Sequence, residues 1–346
     1  MRYALFLLLV WWGGVLAAIT PALISENSCR SGRVKAPGIR SIANWANIPI
    51  LANLRSSNPR AFTRLSGRNF RKLALEPSFI SGMRTDTRYR RSCRKYKSGW
   101  KQMRHLFEQY RRARAKTHFR TAGYKIPKKI HMIWLGSKTP PLVWKMLDSW
   151  KWCHPGWSIK LWTDNDVRQF PLKNRQAYDR AKNWGEKSDI FRYELLEKEG
   201  GIYVDTDFEC FKAFDEICKV ADFFGGVGYS CGAPYLLTGI IGCRPGHPIL
   251  KECVAKLQVG SGDNDFQRIL RATGPRFFSR CFTAAIGSEG CGIVAPFPVT
   301  YFYPFPDGIR GSYSDMALVK RDWFHPESYA IHYWNISWED PQNIPK

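Results

Sequence analysis

Two aspartates separated by a single residue form the most chemically suggestive feature of this chain. Asp205 and Asp207 directly follow the short apolar run of residues 202–204. Two carboxylates this close repel each other in a low-dielectric site unless a positive charge lies between them. A divalent cation supplies that charge, and Mg²⁺ and Mn²⁺ prefer carboxylate, water and phosphate oxygens. The spacing therefore predicts a metal site that can also hold a diphosphate.

The segment before these aspartates predicts how they are positioned. Residues 185–199 have helical apolar spacing, Gly200-Gly201 ends the helix, and residues 202–204 form a strand. Ligands bind at the carboxyl ends of strands in open α/β sheets, where the aspartates would lie. Asp189 and Arg192 are three residues apart and share one helix face. They could hold sugar hydroxyls, ribose or phosphate, or they could form an exposed ion pair of little energetic weight.

Strands and helices alternate through residues 126–346. The other predicted strands cover residues 129–136, 157–162, 235–243 and 329–334, and the other predicted helices cover residues 142–153, residues 248–257 and the segment opened by Pro275. This alternation predicts an α/β fold with a mainly parallel sheet.

The first 125 residues differ in character from the rest. The chain has 346 residues and a formal net charge of +24, and almost all of the excess positive charge falls before residue 126. Residues 1–24 are predicted to be a signal anchor, with a cleaved signal peptide and an organelle transit sequence as alternatives. Residues 25–125 are predicted to be a basic, largely disordered stem with a possible helix at residues 99–116. A solvated linker is the favoured interpretation of this stem, and a nucleic-acid or anionic-membrane contact is the alternative.

The ten cysteines show no C-x-x-C spacing, which argues against a structural zinc site. Disulfides in a lumenal domain and buried free thiols are both compatible with their number. One glycosylation sequon begins at Asn335. We expect Asn335 to be unmodified, because it falls within a block of candidate site residues.

Residues 188–207 follow the pattern S-D-x-x-R-Y-x-x-L-x-x-x-G-G-I-Y-x-D-x-D. This pattern resembles glycosyltransferase family 32, whose members carry a DXD sugar-binding motif and include Golgi mannosyltransferases. The resemblance spans about residues 126–338. It implies a GT-A type fold, in which a mixed, mainly parallel sheet is flanked by helices. It also implies a metal-dependent, retaining transfer of a hexose from a UDP- or GDP-sugar to a glycan, glycolipid or protein acceptor.

The resemblance further implies which residues form the site. Asp205, Asp207, Asp189 and Arg192 would be catalytic, and Asp205, Asp207 and His332 would bind Mn²⁺ or Mg²⁺. The residues implied to bind the donor are Trp134, Leu135, Gly136, Asp189, Arg192, Tyr203, Asp205, Ser337 and Trp338. Trp134 would stack on the nucleotide base, an interaction of about 1–3 kcal/mol. Core positions for Trp134 and His332 are the alternatives.

Together with the predicted anchor, the resemblance implies a single-pass type II protein of the Golgi or another secretory-pathway membrane, with a lumenal catalytic domain. Secretion is the alternative, and no nucleic-acid partner is expected. Three competing functions are a D-x-D phosphatase, a non-catalytic protein that binds nucleic acid or an anionic surface through its basic arm, and an inactive lectin on the same fold. The bulky run Phe208-Glu209-Cys210-Phe211 argues against a phosphatase, which needs a small loop after its second aspartate.

Overall fold

The computed structural model describes residues 96–230, 233–258, 266–307 and 315–335. Its helices are α1 (Lys97–Lys116), α2 (Pro141–Cys153), α3 (Asp164–Gln169), α4 (Arg175–Arg180), α5 (Trp184–Glu199), α6 (Asp215–Val220), α7 (Pro248–Lys256), α8 (Phe266–Ala272), α9 (Pro275–Ala285), α10 (Val299–Phe302) and α11 (Met316–Trp323). Its strands are β1 (Lys129–Ile133), β2 (Ser158–Trp162), β3 (Gly201–Val204), β4 (Phe208–Cys210), β5 (Phe223–Ser230), β6 (Ala233–Cys243), β7 (Val294–Phe297) and β8 (Ala330–His332).

A six-stranded sheet with the order β2-β1-β3-β6-β5-β7 forms the centre of the fold. Strand β1 pairs in parallel with β2 and β3, and β5 pairs in parallel with β7. Strand β6 is antiparallel to both of its neighbours. The predicted α/β class is therefore confirmed, with the mixed and mainly parallel sheet expected of a GT-A type fold. The carboxyl ends of β1, β2 and β3 lie at one edge of this sheet.

A second, two-stranded sheet joins distant parts of the chain. Strands β4 and β8 are antiparallel, and Phe208 lies opposite His332 in their register. Strand β8 is shorter than the predicted strand at residues 329–334. Trp334 has a φ of 58°, in the left-handed region, so the chain leaves the extended conformation soon after His332.

The helix predicted at residues 99–116 is present as α1, and it belongs to the folded core. Trp100, Met103, Phe107 and Tyr110 are all buried in the same cluster as the sheet residues. The Phe107 ring packs edge-on against Phe297 of β7, with 5.5 Å between centroids. The folded region therefore begins before residue 126, the boundary expected between stem and domain, because the apolar face of α1 is buried against the sheet.

The predicted anchor at residues 1–24 and most of the predicted stem lie outside the described residues. Within the part of the chain that the structure describes, no helix has the length and apolarity needed to cross a bilayer. The seven cysteines in this part of the chain are free thiols, and all but Cys153 are buried. The free-thiol interpretation therefore applies to these seven.

Candidate active site

Two glycines allow helix α5 to pass directly into strand β3. Gly200 caps the helix with a φ of 61°, and Gly201 follows with a φ of 96°. A Cβ on Gly201 would lie 2.7 Å from the carbonyl oxygen of Lys129 on β1, a contact that side chains do not tolerate. Glycine is thus required both for the left-handed backbone and for the close approach of β3 to β1.

The chain turns as soon as β3 ends, and the two aspartates lie in this turn. The amide of Asp205 donates to the carbonyl of Gly239 on β6 at 2.8 Å, and the amide of Phe208 donates to the carbonyl of Asp205 at 3.2 Å. The side chain of Asp205 remains 28% exposed, whereas that of Asp207 is only 9% exposed. One carboxylate therefore faces the solvent and the other is enclosed.

The pairing of β4 with β8 brings His332 to the two aspartates. Its Nε2 lies 2.8 Å from Oδ1 of Asp207 and 3.7 Å from Oδ2 of Asp205. The three potential ligand atoms lie within 4.8 Å of one another. Two carboxylate oxygens and one imidazole nitrogen suit Mn²⁺ and are compatible with Mg²⁺, so the residues present fit a divalent ion.

The electrostatics of His332 support this fit. Burial alone would lower the pKa of His332, but the charge of Asp207, the hydrogen bond to it and the charge of Asp205 together raise the pKa. The two carboxylates thus favour a positive charge at the position of the His332 ring. A bound cation would take over that role, because a metal ligand must be a neutral imidazole.

Arg192 links Asp189, which lies on the same face of helix α5, to Asp205 of the DXD motif. Its Nη2 lies 3.3 Å from Asp189 and 3.4 Å from Asp205, and its Nη1 donates to the carbonyl of Thr238 at 2.7 Å. The guanidinium also lies over the ring of Tyr203, 4.2 Å from the centroid. Asp189 and Arg192 are 7% and 5% exposed, so the alternative of an exposed surface ion pair is wrong.

Both carboxylates beside Arg192 are further fixed by hydroxyl groups. Tyr203 donates to Oδ1 of Asp205 at 2.6 Å, and Thr273 donates to Oδ2 of Asp189 at 3.0 Å. Burial raises the pKa of Asp189 to about 6, although Arg192 and the Thr273 hydrogen bond oppose the shift. The predicted group of Asp189, Arg192, Tyr203 and Asp205 is therefore brought together as one connected network.

Trp134, Leu135 and Gly136 follow β1 at the same edge of the sheet. Trp134 is only half-buried, which leaves part of its ring accessible, whereas Leu135 is buried. Gly136 has a φ of 82°, its amide donates to Asp164 at 2.9 Å, and a Cβ there would lie 2.2 Å from the Trp184 ring. The ring of Trp184 is itself 43% exposed, a site-edge aromatic that the sequence pattern did not single out.

Three aromatic rings surround His332, and the sequence did not predict this arrangement. Phe208 stacks on the imidazole at 4.5 Å between centroids, while Trp334 and Tyr303 meet it edge-on at 4.2 and 5.5 Å. Phe208 and Trp334 adjoin predicted site residues in sequence, but nothing local marked Tyr303, which lies in a different segment of the chain. The predicted donor-binding residues Ser337 and Trp338 lie outside the described residues.

Comparison with known proteins agrees with this geometry. Residues 140–224 match the family model described as a glycosyltransferase sugar-binding region containing a DXD motif. An uncharacterized glycosyltransferase of Acanthamoeba polyphaga mimivirus is 26% identical over 52% of this chain and 73% of its own length. Inositol phosphoceramide mannosyltransferase 3 of Schizosaccharomyces pombe is 30% identical over 46% of this chain and 45% of its own length.

Among solved structures, the chain is similar to the PaToxG glycosyltransferase, with a TM-score of 0.42 and 19% identity over 58% of this chain and 81% of the other. The chain spans about half the length of the yeast mannosyltransferases that it matches. The resemblance predicted from residues 188–207 is confirmed: residues 140–224 match the sugar-binding region of the DXD glycosyltransferases, and relatives that the chain matches are glycosyltransferases.

Proposed function

We propose that this chain is a metal-dependent, retaining glycosyltransferase that moves a hexose from a UDP- or GDP-sugar to a glycan or glycolipid acceptor. The observation that carries the proposal is the convergence of Asp205, Asp207 and His332 at the end of β3, with both aspartates inside the matched DXD sugar-binding region. A divalent ion bound there would offset the charge of the diphosphate and of the departing nucleoside diphosphate.

The chain's own residues would orient the donor around the divalent ion. Arg192 is held between Asp189 and Asp205, so it provides a fixed positive charge beside the metal site. The oxygens of Asp189 and Asp205 are suited to accept hydrogen bonds from sugar or ribose hydroxyls. The partly exposed ring of Trp134 is placed to stack on the nucleotide base.

The relatives support the proposed acceptor and donor classes. Several are named inositol phosphoceramide mannosyltransferases, which supports a glycolipid acceptor and makes GDP-mannose the first donor to test. The family resemblance supports retention of the anomeric configuration. We also propose that residues 1–24 anchor the protein in a Golgi or other secretory-pathway membrane with the catalytic domain in the lumen, and secretion remains the alternative.

The structure adds an argument against the phosphatase alternative. Phe208 begins strand β4 directly after Asp207, and its ring is fully buried. A strand at this position leaves no small flexible loop beside the second aspartate. The alternative function through the basic arm depends on residues 25–95, which the structure does not describe.

Donor hydrolysis by the full-length protein tests the proposed function. A panel of UDP- and GDP-sugars would be incubated with Mn²⁺, with Mg²⁺ and with a chelator. We expect one donor to be hydrolysed, the activity to disappear on chelation, and Asp207→Asn to lose it while remaining folded. Asp148→Asn is the matched control, because Asp148 is an aspartate whose side chain is 71% exposed.

Thermal unfolding and circular dichroism would establish that each variant is folded. A folded wild-type protein that neither binds nor hydrolyses any nucleotide-sugar would overturn the transferase proposal. Hydrolysis that persists in Asp207→Asn would overturn the assignment of the site instead.

A further inference from the structure

Tyr303 is a buried residue beside the proposed metal site. It follows α10 and is 1% exposed. Its ring packs edge-on against Phe208 and His332, with centroid distances of 5.2 and 5.5 Å, and it lies 5.5 Å from the ring of Trp334. These neighbours fix the direction in which the phenol points.

The hydroxyl of Tyr303 faces the same small space as the Asp205 carboxylate. A Cβ on Gly239 would lie 3.1 Å from the Tyr303 hydroxyl oxygen and 2.8 Å from Oδ2 of Asp205. Any larger residue at position 239 would therefore fill the space between these two oxygens. Glycine leaves this space open, next to the group formed by Asp205, Asp207 and His332.

The Ile240 amide lies within reach of the Tyr303 oxygen as a donor, but the proton of this hydroxyl has no acceptor among the described residues. A buried polar group left unpaired costs about 1–3 kcal/mol, so such groups are uncommon and often mark a ligand position. Burial and the nearby charges of Asp205 and Asp207 raise the pKa of Tyr303 well above its usual value. The phenol is therefore protonated at neutral pH, and it is a hydrogen-bond donor beside two carboxylates.

We propose that Tyr303 is a further ligand-binding residue of the site, whose hydroxyl donates a hydrogen bond to an oxygen bound next to Asp205. This inference rests on the proposed function. The oxygen belongs either to a water on the metal ion or to the diphosphate of the donor. Both are oxygen acceptors beside the metal, and both would provide the partner that the hydroxyl lacks in the unliganded protein.

The substitution Tyr303→Phe removes only the hydroxyl and leaves the ring in place. The matched control is Thr300→Val, because the Thr300 hydroxyl is also buried, also unpartnered among the described residues, and absent from the contacts of the site. The full-length wild type and both variants would be unfolded thermally alone, with Mn²⁺, and with Mn²⁺ plus UDP or GDP. Dissociation constants would be measured by titration calorimetry.

Without ligands, we expect both variants to remain folded with a Tm close to that of the wild type, because each loses a buried hydroxyl whose proton has no acceptor among the described residues. Tyr303→Phe should bind the ligand about tenfold more weakly, whereas Thr300→Val should bind it as the wild type does. A loss already present with Mn²⁺ alone identifies the acceptor as a metal-bound water. A loss seen only with the nucleotide identifies it as a phosphate oxygen.

Wild-type affinity of Tyr303→Phe for both Mn²⁺ and the nucleotide would overturn this inference and leave the proposed function intact. An unstable or unfolded Tyr303→Phe protein would also overturn it, because the hydroxyl would then serve the unliganded fold. If the wild type binds neither Mn²⁺ nor a nucleotide, the proposed function fails, and the inference that depends on it fails with it.

Discussion

The backbone amide of Asn335 donates a 2.6 Å hydrogen bond to Oδ2 of Asp207. The other oxygen of this carboxylate, Oδ1, faces His332 at 2.8 Å. The two oxygens therefore have separate partners, and the orientation of the carboxylate is fixed before any ligand arrives. The left-handed backbone of Trp334 lies between His332 and Asn335, at the bend that directs the amide toward Asp207.

Substitution of Trp334 tests the role of this bend. Trp334→Ala and Trp334→Gly both remove the ring, but only glycine adopts a positive φ without cost. We expect the glycine variant to be more stable than the alanine variant by about 0.5–1 kcal/mol, the reverse of the usual order. Urea unfolding would measure the difference. An alanine variant as stable as the glycine variant, or more stable, would show that the positive φ at position 334 has no energetic cost.

Arg192 should not tolerate replacement by lysine. A lysine cannot contact Asp189, Asp205 and the Thr238 carbonyl in the same planar arrangement, so a buried carboxylate would lose its partner. We expect Arg192→Lys to lower the free energy of unfolding by about 3 kcal/mol and to abolish donor hydrolysis. The control is Arg321→Lys, because Arg321 forms an exposed ion pair with Asp322. Equal stabilities of the two variants would show that the Arg192 network is dispensable.

Three buried histidines should make the protein sensitive to acid. His131, His154 and His247 each combine a ring nitrogen that accepts a backbone or indole N–H with one that bonds a carbonyl oxygen. This arrangement requires the neutral imidazole, and burial lowers the pKa of each to about 4 from 6.5.

The unfolded state consequently takes up protons first as the pH falls. The contribution of these histidines to stability is complete above about pH 6.5 and is lost progressively down to about pH 4, at about 3 kcal/mol per residue. Urea unfolding across this pH range measures the slope of the free energy of unfolding against pH. His154→Gln should reduce the slope by about a third, while His118→Gln, at an exposed position, serves as the control. If His154→Gln left the pH dependence of the free energy of unfolding unchanged, His154 would not be one of the groups responsible for it.

Helix α1 should be required for the stability of the folded region around the sheet. Phe107 is 1% exposed and contacts the rings of Phe297 and Tyr301. We expect Phe107→Ala to lower the free energy of unfolding by about 3–5 kcal/mol. Trp152→Ala is the control, since Trp152 is 62% exposed and its loss should have little effect. A similarly small effect at Phe107 would place α1 outside the cooperative fold.

The sequence was most informative where local pattern and chemistry coincide. The glycine pair at residues 200–201 and the apolar strand before Asp205 predicted the position of the DXD motif because helix end, turn and strand are all local features. The apolar spacing of residues 99–116 likewise predicted α1. Its membership of the core could not be inferred, because the strand that it packs on lies far along the chain.

Other parts of the fold depend on long-range pairing. Strand β5 contains Gly225, Gly226 and Gly228, which resemble a turn when viewed in isolation, and it becomes a strand by pairing with β6 and β7. Nothing in the residues next to Gly239 or Tyr303 signals the metal site, because their proximity to Asp205 comes from the tertiary fold. The antiparallel direction of β6 was also not specified by the alternation of strands and helices.

The pairing of β4 with β8 has a consequence for the newly made chain. Both aspartates and the whole of β3 leave the ribosome more than a hundred residues before His332 and the Asn335 amide. Until β8 and Asn335 are added, the Asp207 carboxylate lacks both the imidazole and the amide that orient it. A nascent or C-terminally clipped chain therefore has no complete cation site. If the proposed function holds, donor hydrolysis should appear only once the chain has been completed through β8.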